Sequence, residues 1–323
     1  MLMNDIGHHV DAFTSLSGWR GAVPAGSVAN FLGVMTDEEF VALHAPSNNI
    51  VTGDGGGMAH VPSVSDGEPF FEFAAIYEAV RQASDRFTMV ELGGGYASRC
   101  VDAHAAVQRF NPMPTQFVVV EAEPTHFDWA KRHMRANGID PDQHWMINAA
   151  VSDSNDPVLF LTGEGLYYNS IIAGNDKVDI AEQVESFGMT RTVLQNLMIS
   201  GSLGIKIPYT SQAGQHIHDM KLVSARTLAE ILQPLQVVDL LDIDIQGAEI
   251  TVLPPAMAML NQRVRRLHLG THGLDVHKFM WDMFFEAEWL CEYDYPPNTD
   301  VETDYGDFRT SDGILTFVNS RFL

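Results

Sequence analysis

Met89-Val90-Glu91-Leu92-Gly93-Gly94-Gly95-Tyr96 is the stretch whose reading decides the fold. A short apolar run ends in an acid and then breaks into a glycine turn. From Ala97, residues Cys100, Val101, His104, Ala105 and Gln108 recur at spacings of three to four, and Pro112 closes the run. Strand, tight glycine loop and helix open a nucleotide-binding α/β unit. The loop lets backbone approach a ligand closely and aims helix N–H groups at it. The next strand, Phe117-Val118-Val119-Val120, runs into Glu121, about where such folds place an acid on ribose hydroxyls. Ser98 stands where a dinucleotide fingerprint wants Gly or Ala, and the motif begins far from the N-terminus. Both features favour an adenosyl cofactor without pyrophosphate over a nicotinamide.

Upstream, residues 1–85 carry no cofactor motif and read as an N-terminal cap or substrate-side segment. Its glycine run Gly53-Asp54-Gly55-Gly56-Gly57 lacks a preceding strand and a following Lys-Ser or Lys-Thr, so it reads as a connector. A helix over 72–83 presents Phe73, Ile76, Tyr77 and Val80 on one face. Residues 86–323 read as one Rossmann-like domain. A helix over 125–137 stops at Gly138, a third strand covers 145–151, and 158–161 adds a short strand. Residues 164–220 interrupt the alternation as a lid insertion, with a helix over 180–187. Within it, Tyr167-Tyr168 either stacks on a sugar or ring, or packs against the domain. Order returns with a helix over 224–233, a fourth strand over 237–245 and a helix from Gly247 that Pro254-Pro255 bends or breaks. A fifth strand over 266–269 ends in Gly270-Thr271-His272-Gly273. Segments 289–293 and 313–319 form antiparallel strands at one edge of a doubly wound sheet.

Composition narrows the partners. The chain has 323 residues, 46% of them hydrophobic, enough for a sizeable core. Nineteen Lys and Arg against 42 Asp and Glu leave a net charge of −23, a field that repels nucleic acid and anionic lipid. Cys100 and Cys291 make no disulfide framework. No signal peptide or stretch of about 20 apolar residues is present, so a cytoplasmic protein without membrane contact is expected, either monomeric or a homo-oligomer.

The second constellation is Asp242-Ile243-Asp244-Ile245-Gln246-Gly247-Ala248-Glu249. Asp242 and Asp244 are two apart and point to the same side of a strand. Ligands of open α/β sheets bind beyond the carboxyl ends of the strands, where Asp244, Gln246 and His272 converge with the glycine loop. Asp244 either sits beside a cationic sulfonium or orients a hydroxyl, or caps the helix at Gly247.

At these residues the chain resembles the FkbM family of S-adenosylmethionine-dependent methyltransferases. The matching runs, in order, are Val90-Glu91-Leu92-Gly93-Gly94-Gly95, Glu121-Ala122-Glu123-Pro124, Ala149-Ala150-Val151-Ser152-Asp153, Thr227-Leu228 and Leu241 to Glu249 with Val252-Leu253. The resemblance implies a class I methyltransferase fold and O-methylation of a sugar, glycan or secondary-metabolite hydroxyl, with S-adenosylhomocysteine as the product. It also implies a cofactor site that includes Glu91, Gly94 and Tyr96 and in which Gly93 and Gly95 would pass under the methionine part. Glu121 would hold the ribose with Ala122 beside it in the cofactor site, Ala150, Val151 and Asp153 would border the adenine, and Asp244 would lie near the methyl group. Two positions depart from the family pattern, which usually has Lys where Asp242 stands and often Glu where Gln246 stands.

Methyl transfer needs positioning and a proton acceptor. His272 is the candidate base, with Glu249 as the alternative, although His272 can equally bond a loop carbonyl. A metal-assisted variant would have Asp242, Asp244, His272 and Asp275 hold Mg²⁺. His216-Ile217-His218-Asp219 is a further pattern compatible with zinc, placed on a loop. Two rival functions are a catalytically inactive adenosyl-nucleotide-binding module and an NAD-dependent oxidoreductase.

Overall fold

The computed structural model describes residues 7–41, 50–53, 57–61, 63, 67–162, 202–211, 214–302 and 307–323. A seven-stranded sheet forms its centre. Its strands are β1 (Phe87–Leu92), β2 (Thr115–Val120), β3 (Trp145–Ile147), β4 (Leu240–Ile243), β5 (Arg266–Thr271), β6 (Trp289–Tyr295) and β7 (Gly313–Asn319). Across the sheet they stand in the order β6-β7-β5-β4-β1-β2-β3. Strands β1 to β5 pair in parallel, while β7 runs antiparallel between β5 and β6. The chain winds outward one way through β2 and β3 and the other way through β4 and β5. The β1–β4 junction is therefore the topological switch point, where such sheets hold ligands.

All six residues of β1 are buried, as a parallel strand covered on both faces requires. Alternate residues enter opposite cores. Phe87, Met89, Phe117, Val119 and Leu240 pack under α1 (Glu68–Gln82), α2 (Ser98–Phe110) and α3 (Pro124–Ala136). Val90, Leu92, Val118, Leu241 and Leu267 pack under α4 (Glu249–Arg263) and α5 (Leu274–Glu286). Burying each such side chain contributes about 1.5–3 kcal/mol, so this double layer dominates the stability.

Several boundaries differ from the sequence reading. Helix α1 begins at Glu68, because Gly67 (φ 77°) turns the chain and Pro69 fits the first helical turn. The segment 145–151 is two strands, not one. Trp145–Ile147 joins the main sheet, whereas Ala150–Ser152 pairs with Ala225–Thr227, which also shortens the expected helix to Leu228–Leu232. Helix α4 continues through Pro254 and Pro255. The two missing N–H donors are tolerated because Val252, Leu253, Ala256 and Leu260 stay buried on the same face. Helix α5 was not anticipated. Val276, Met280 and Phe284 make its inner stripe, but Leu274, Phe279 and Phe285 are exposed, so the amphipathic pattern is blurred.

In the expected lid, Ser202–Ser211 and Gly214–Val223 form a β-hairpin added to Val158–Thr162. His216 and His218 therefore sit in a strand, not on a loop. Tyr167, Tyr168 and the helix expected over 180–187 lie outside the described residues. Before α1, Ser27–Ala29 pairs with Met35–Asp37 and Val51–Thr52. This small sheet docks on α2 and α3 through Asn30–Asp102 (2.7 Å) and Met35 N to Asn137 Oδ1 (2.8 Å). Among the described residues no helix is long and apolar enough to cross a membrane.

Candidate active site

The glycine loop is shaped by close backbone approach. Gly93 has φ 75°, and a Cβ there would lie 1.8 Å from the carbonyl oxygen of Asp244. A Cβ on Gly94 would meet Val119 Cγ1 at 2.7 Å. The N–H groups of Gly93 and Gly94 both donate to the Val120 carbonyl at 3.0 Å. The loop is thus wedged between the ends of β2 and β4. Glu91 is buried, and its two carboxylate oxygens accept from Arg99 N (3.1 Å) and Cys100 N (2.9 Å). It closes the first turn of α2 and draws that helix against the loop.

Glu121 continues β2 into the same space. One of its oxygens accepts from Gly95 N and the other from Glu123 N, each at 2.7 Å. Burial pushes its carboxyl up to about 7 despite these bonds. Each oxygen keeps a lone pair for a ligand hydroxyl. Beside it, Ala122, Ala150 and Phe160 form an apolar cluster.

A cavity of about 830 Å³ opens at this switch point. Its wall includes Glu91, Gly93, Gly94, Gly95, Tyr96, Glu121, Ala122, Ala150, Val151 and Asp244, ten of the sequence candidates. Asp153 is not part of that wall; it is exposed and accepts from Ser152 Oγ at 3.3 Å. Val28, Val41, Ile50 and Thr52 close the cavity from the N-terminal segment. The sequence reading missed Glu72, Arg99, Phe160, His268 and Asp312, which also line it.

His272 and Glu249 stand behind Asp244 and outside the wall. The His272 ring lies between carboxylates, with Nδ1 3.0 Å from Glu249 Oε1 and Nε2 3.2 Å from Asp244 Oδ1. The Nε2 contact is an ion pair without hydrogen-bond alignment. Burial alone would lower the ring's pKa, but Asp244 and Glu249 outweigh it and push it up to about 10. Burial in turn would raise Asp244, yet His272 and Gln246 hold it below the usual carboxylate range. At neutral pH His272 is therefore an imidazolium that anchors Asp244, and it holds no free lone pair for a substrate proton.

This pairing carries a pH signature. A histidine whose pKa is raised on folding contributes fully below its unfolded value of 6.5 and loses the contribution as pH rises through about 10. His272→Gln is expected to cost ~2 kcal/mol near pH 6, as for hydrogen bonds to charged groups, and almost nothing above pH 10. Urea midpoints of both proteins across this range check it. A difference unchanged between those two pH values would contradict the pairing.

A second polar row crosses the sheet below. In register, Glu91 of β1 faces Asp242 of β4, Asp242 faces His268 of β5, and His268 faces Thr316 of β7. His268 Nδ1 lies 2.9 Å from Thr316 Oγ1, and burial holds the ring neutral by lowering its pKa to about 3. Above the row, Arg99 pairs with Glu72. Burial, opposed by Arg99, pushes Glu72 up to about 7 and Asp242 well above the ordinary range. Among the described residues the one group with metal-ligand convergence is His8, His9 and Glu78. Asp242, Asp244, His272 and Asp275 do not converge, because Asp275 opens α5 on its exposed side and His272 is turned toward Glu249.

The family model described as the methyltransferase FkbM domain matches residues 101–297, more than half of the chain. A protein of Jannaschia sp. (strain CCS1), named provisionally as a methyltransferase, is 22% identical over 225 residues, covering 70% of each chain. A precorrin-6y C5,15-methyltransferase from Geobacter metallireducens GS-15 superposes with a TM-score of 0.38 at 11% identity, over 79% of this chain and 90% of that one. The FkbM methyltransferase of Methylobacillus flagellatus KT superposes with a TM-score of 0.41 at 10% identity, over 73% of this chain and 44% of that one.

Proposed function

Because the chain belongs to the FkbM methyltransferase domain family, we propose that it moves the methyl group of S-adenosylmethionine to a hydroxyl of a sugar or other secondary metabolite. The observation that carries the cofactor is Glu121, a buried strand-end carboxylate tied to the glycine loop and facing the cavity. The residues fit the group. Glu121 would accept from the ribose hydroxyls, the slot of Ala122, Ala150, Val151 and Phe160 would take the adenine, and the Gly93 to Gly95 backbone would run under the methionine part. When bound, the cofactor supplies a sulfonium methyl open to in-line attack by an oxygen lone pair. Asp244, kept ionised by His272 and lining the cavity, would offset that positive charge. The proton of the acceptor hydroxyl goes to Glu72, whose pKa of about 7 suits a general base at neutral pH.

The test uses methyl-tritiated S-adenosylmethionine with mixed glycan and polyketide hydroxyl acceptors. Label on an acceptor oxygen is expected, and Glu72→Gln lowers kcat by roughly 100-fold without raising KM for the cofactor. Label on acceptor carbon or nitrogen alone would overturn the O-transfer reading.

A further inference from the structure

Part of the cavity wall is left unused by the cofactor. Glu38, Glu68, Glu72, Asp242 and Asp312 all line it, and Arg99 is the one Lys or Arg of the wall among the described residues. Arg99 is already committed to Glu72. Glu68 is likewise engaged, because its Oε1 accepts from Ser311 N, Ser311 Oγ and Asp312 N.

Asp242 is different. It is 8% exposed, faces the cavity, and no donor reaches its carboxyl within hydrogen-bonding distance among the described residues. Its neighbour Glu91 at the same level already accepts one N–H group on each oxygen. The other neighbour, His268, is neutral and gives no charge. Arg99, which Asp242 shares with Glu72, opposes the burial of this carboxyl without hydrogen-bonding it, and burial outweighs it and pushes the pKa up. A ligand cation would remove that cost and let the group ionise. The net charge of −23 draws cations toward the protein in any case.

We propose that the acceptor carries an ammonium group that docks on Asp242, so that the acceptor class is an amino sugar methylated at one of its hydroxyls. The inference rests on the methyl-transfer reading and sharpens its acceptor. The cofactor's own positive groups would be met by the glycine-loop end of the cavity and Asp244, whereas Asp242 stands two residues earlier in the strand, level with Glu91.

Calorimetry on the full-length protein saturated with S-adenosylhomocysteine tests it, with glucosamine, kanamycin, glucose and glucuronate as probes. Glucosamine or kanamycin is expected to bind at least about tenfold more tightly than glucose, as one charge-assisted hydrogen bond allows. Glucuronate is expected not to bind. In Asp242→Asn the amine preference disappears, while S-adenosylhomocysteine still titrates and reports a folded protein. The inference is overturned if neither amine binds, if glucose binds equally well, or if the preference survives in Asp242→Asn. Failure of S-adenosylhomocysteine itself to bind is a different result and counts against the methyl-transfer reading. The wild-type comparison stands without the variant.

Discussion

Glu121→Ala is expected to weaken S-adenosylmethionine binding by at least about a hundredfold, since two or more charge-assisted hydrogen bonds are lost at 1.5–3 kcal/mol each. The side chain does two jobs at once. It fixes the glycine loop through Gly95 N and the start of α3 through Glu123 N, and it turns its remaining lone pairs into the cavity. Alanine leaves both N–H groups without their acceptor and removes the ribose ligand. The raised pKa adds a pH dependence. A carboxyl at about 7 that accepts hydrogen bonds from a ligand is ionised by that ligand, so affinity rises from pH 6 to pH 8. Titrations at the two pH values check this, and a flat profile together with undiminished binding by Glu121→Ala would remove Glu121 from the site.

Gly93→Ala is expected to destabilise the fold by about 3 kcal/mol or more, which corresponds to a Tm drop of roughly 4 °C or more for a chain of 323 residues. The added Cβ would stand 1.8 Å from Asp244 O, so the ends of β1 and β4 must separate at the switch point. Gly138→Ala provides the internal comparison. Gly138 has φ 78°, much like Gly93, but its Cβ would meet nothing within 4 Å. That substitution carries only left-handed backbone strain of about 1 kcal/mol. Thermal unfolding of both variants separates the clash from the backbone conformation, and equal losses would show that close approach is not what Gly93 provides.

The strand–loop–helix start was legible because three independent signals agree over residues 89–108: an apolar run, a glycine turn and a helical period. The strand-end acids were legible for a similar reason, as Glu121, Asp242 and Asp244 each interrupt an apolar stretch. The doubly wound parallel sheet followed from alternation, and the antiparallel edge from two late strands joined without a crossover helix, whereas the order of the strands came only from the structure. Helix α5 was lost because Leu274, Phe279 and Phe285 put apolar side chains on its outer face. Phe160, Glu72, Arg99 and Asp312 reach the cavity from an added strand, two helices and a turn before β7. Only topology brings these together, and no local spacing announces it. His272 was legible as a site neighbour but not as a cation, because its charge state is set by Glu249, a buried residue one helix turn away from the strand-end acid. The N-terminal segment had no motif, yet Val28 and Thr52 close the cavity from it.

Titration calorimetry of the purified protein with S-adenosylmethionine and, separately, NAD⁺ addresses the central claim. S-adenosylmethionine should bind with a Kd near ~1 μM, about −8 kcal/mol, and NAD⁺ should give no heat of binding. Binding of NAD⁺ with none of S-adenosylmethionine would contradict the account and return the glycine loop and Glu121 to a dinucleotide.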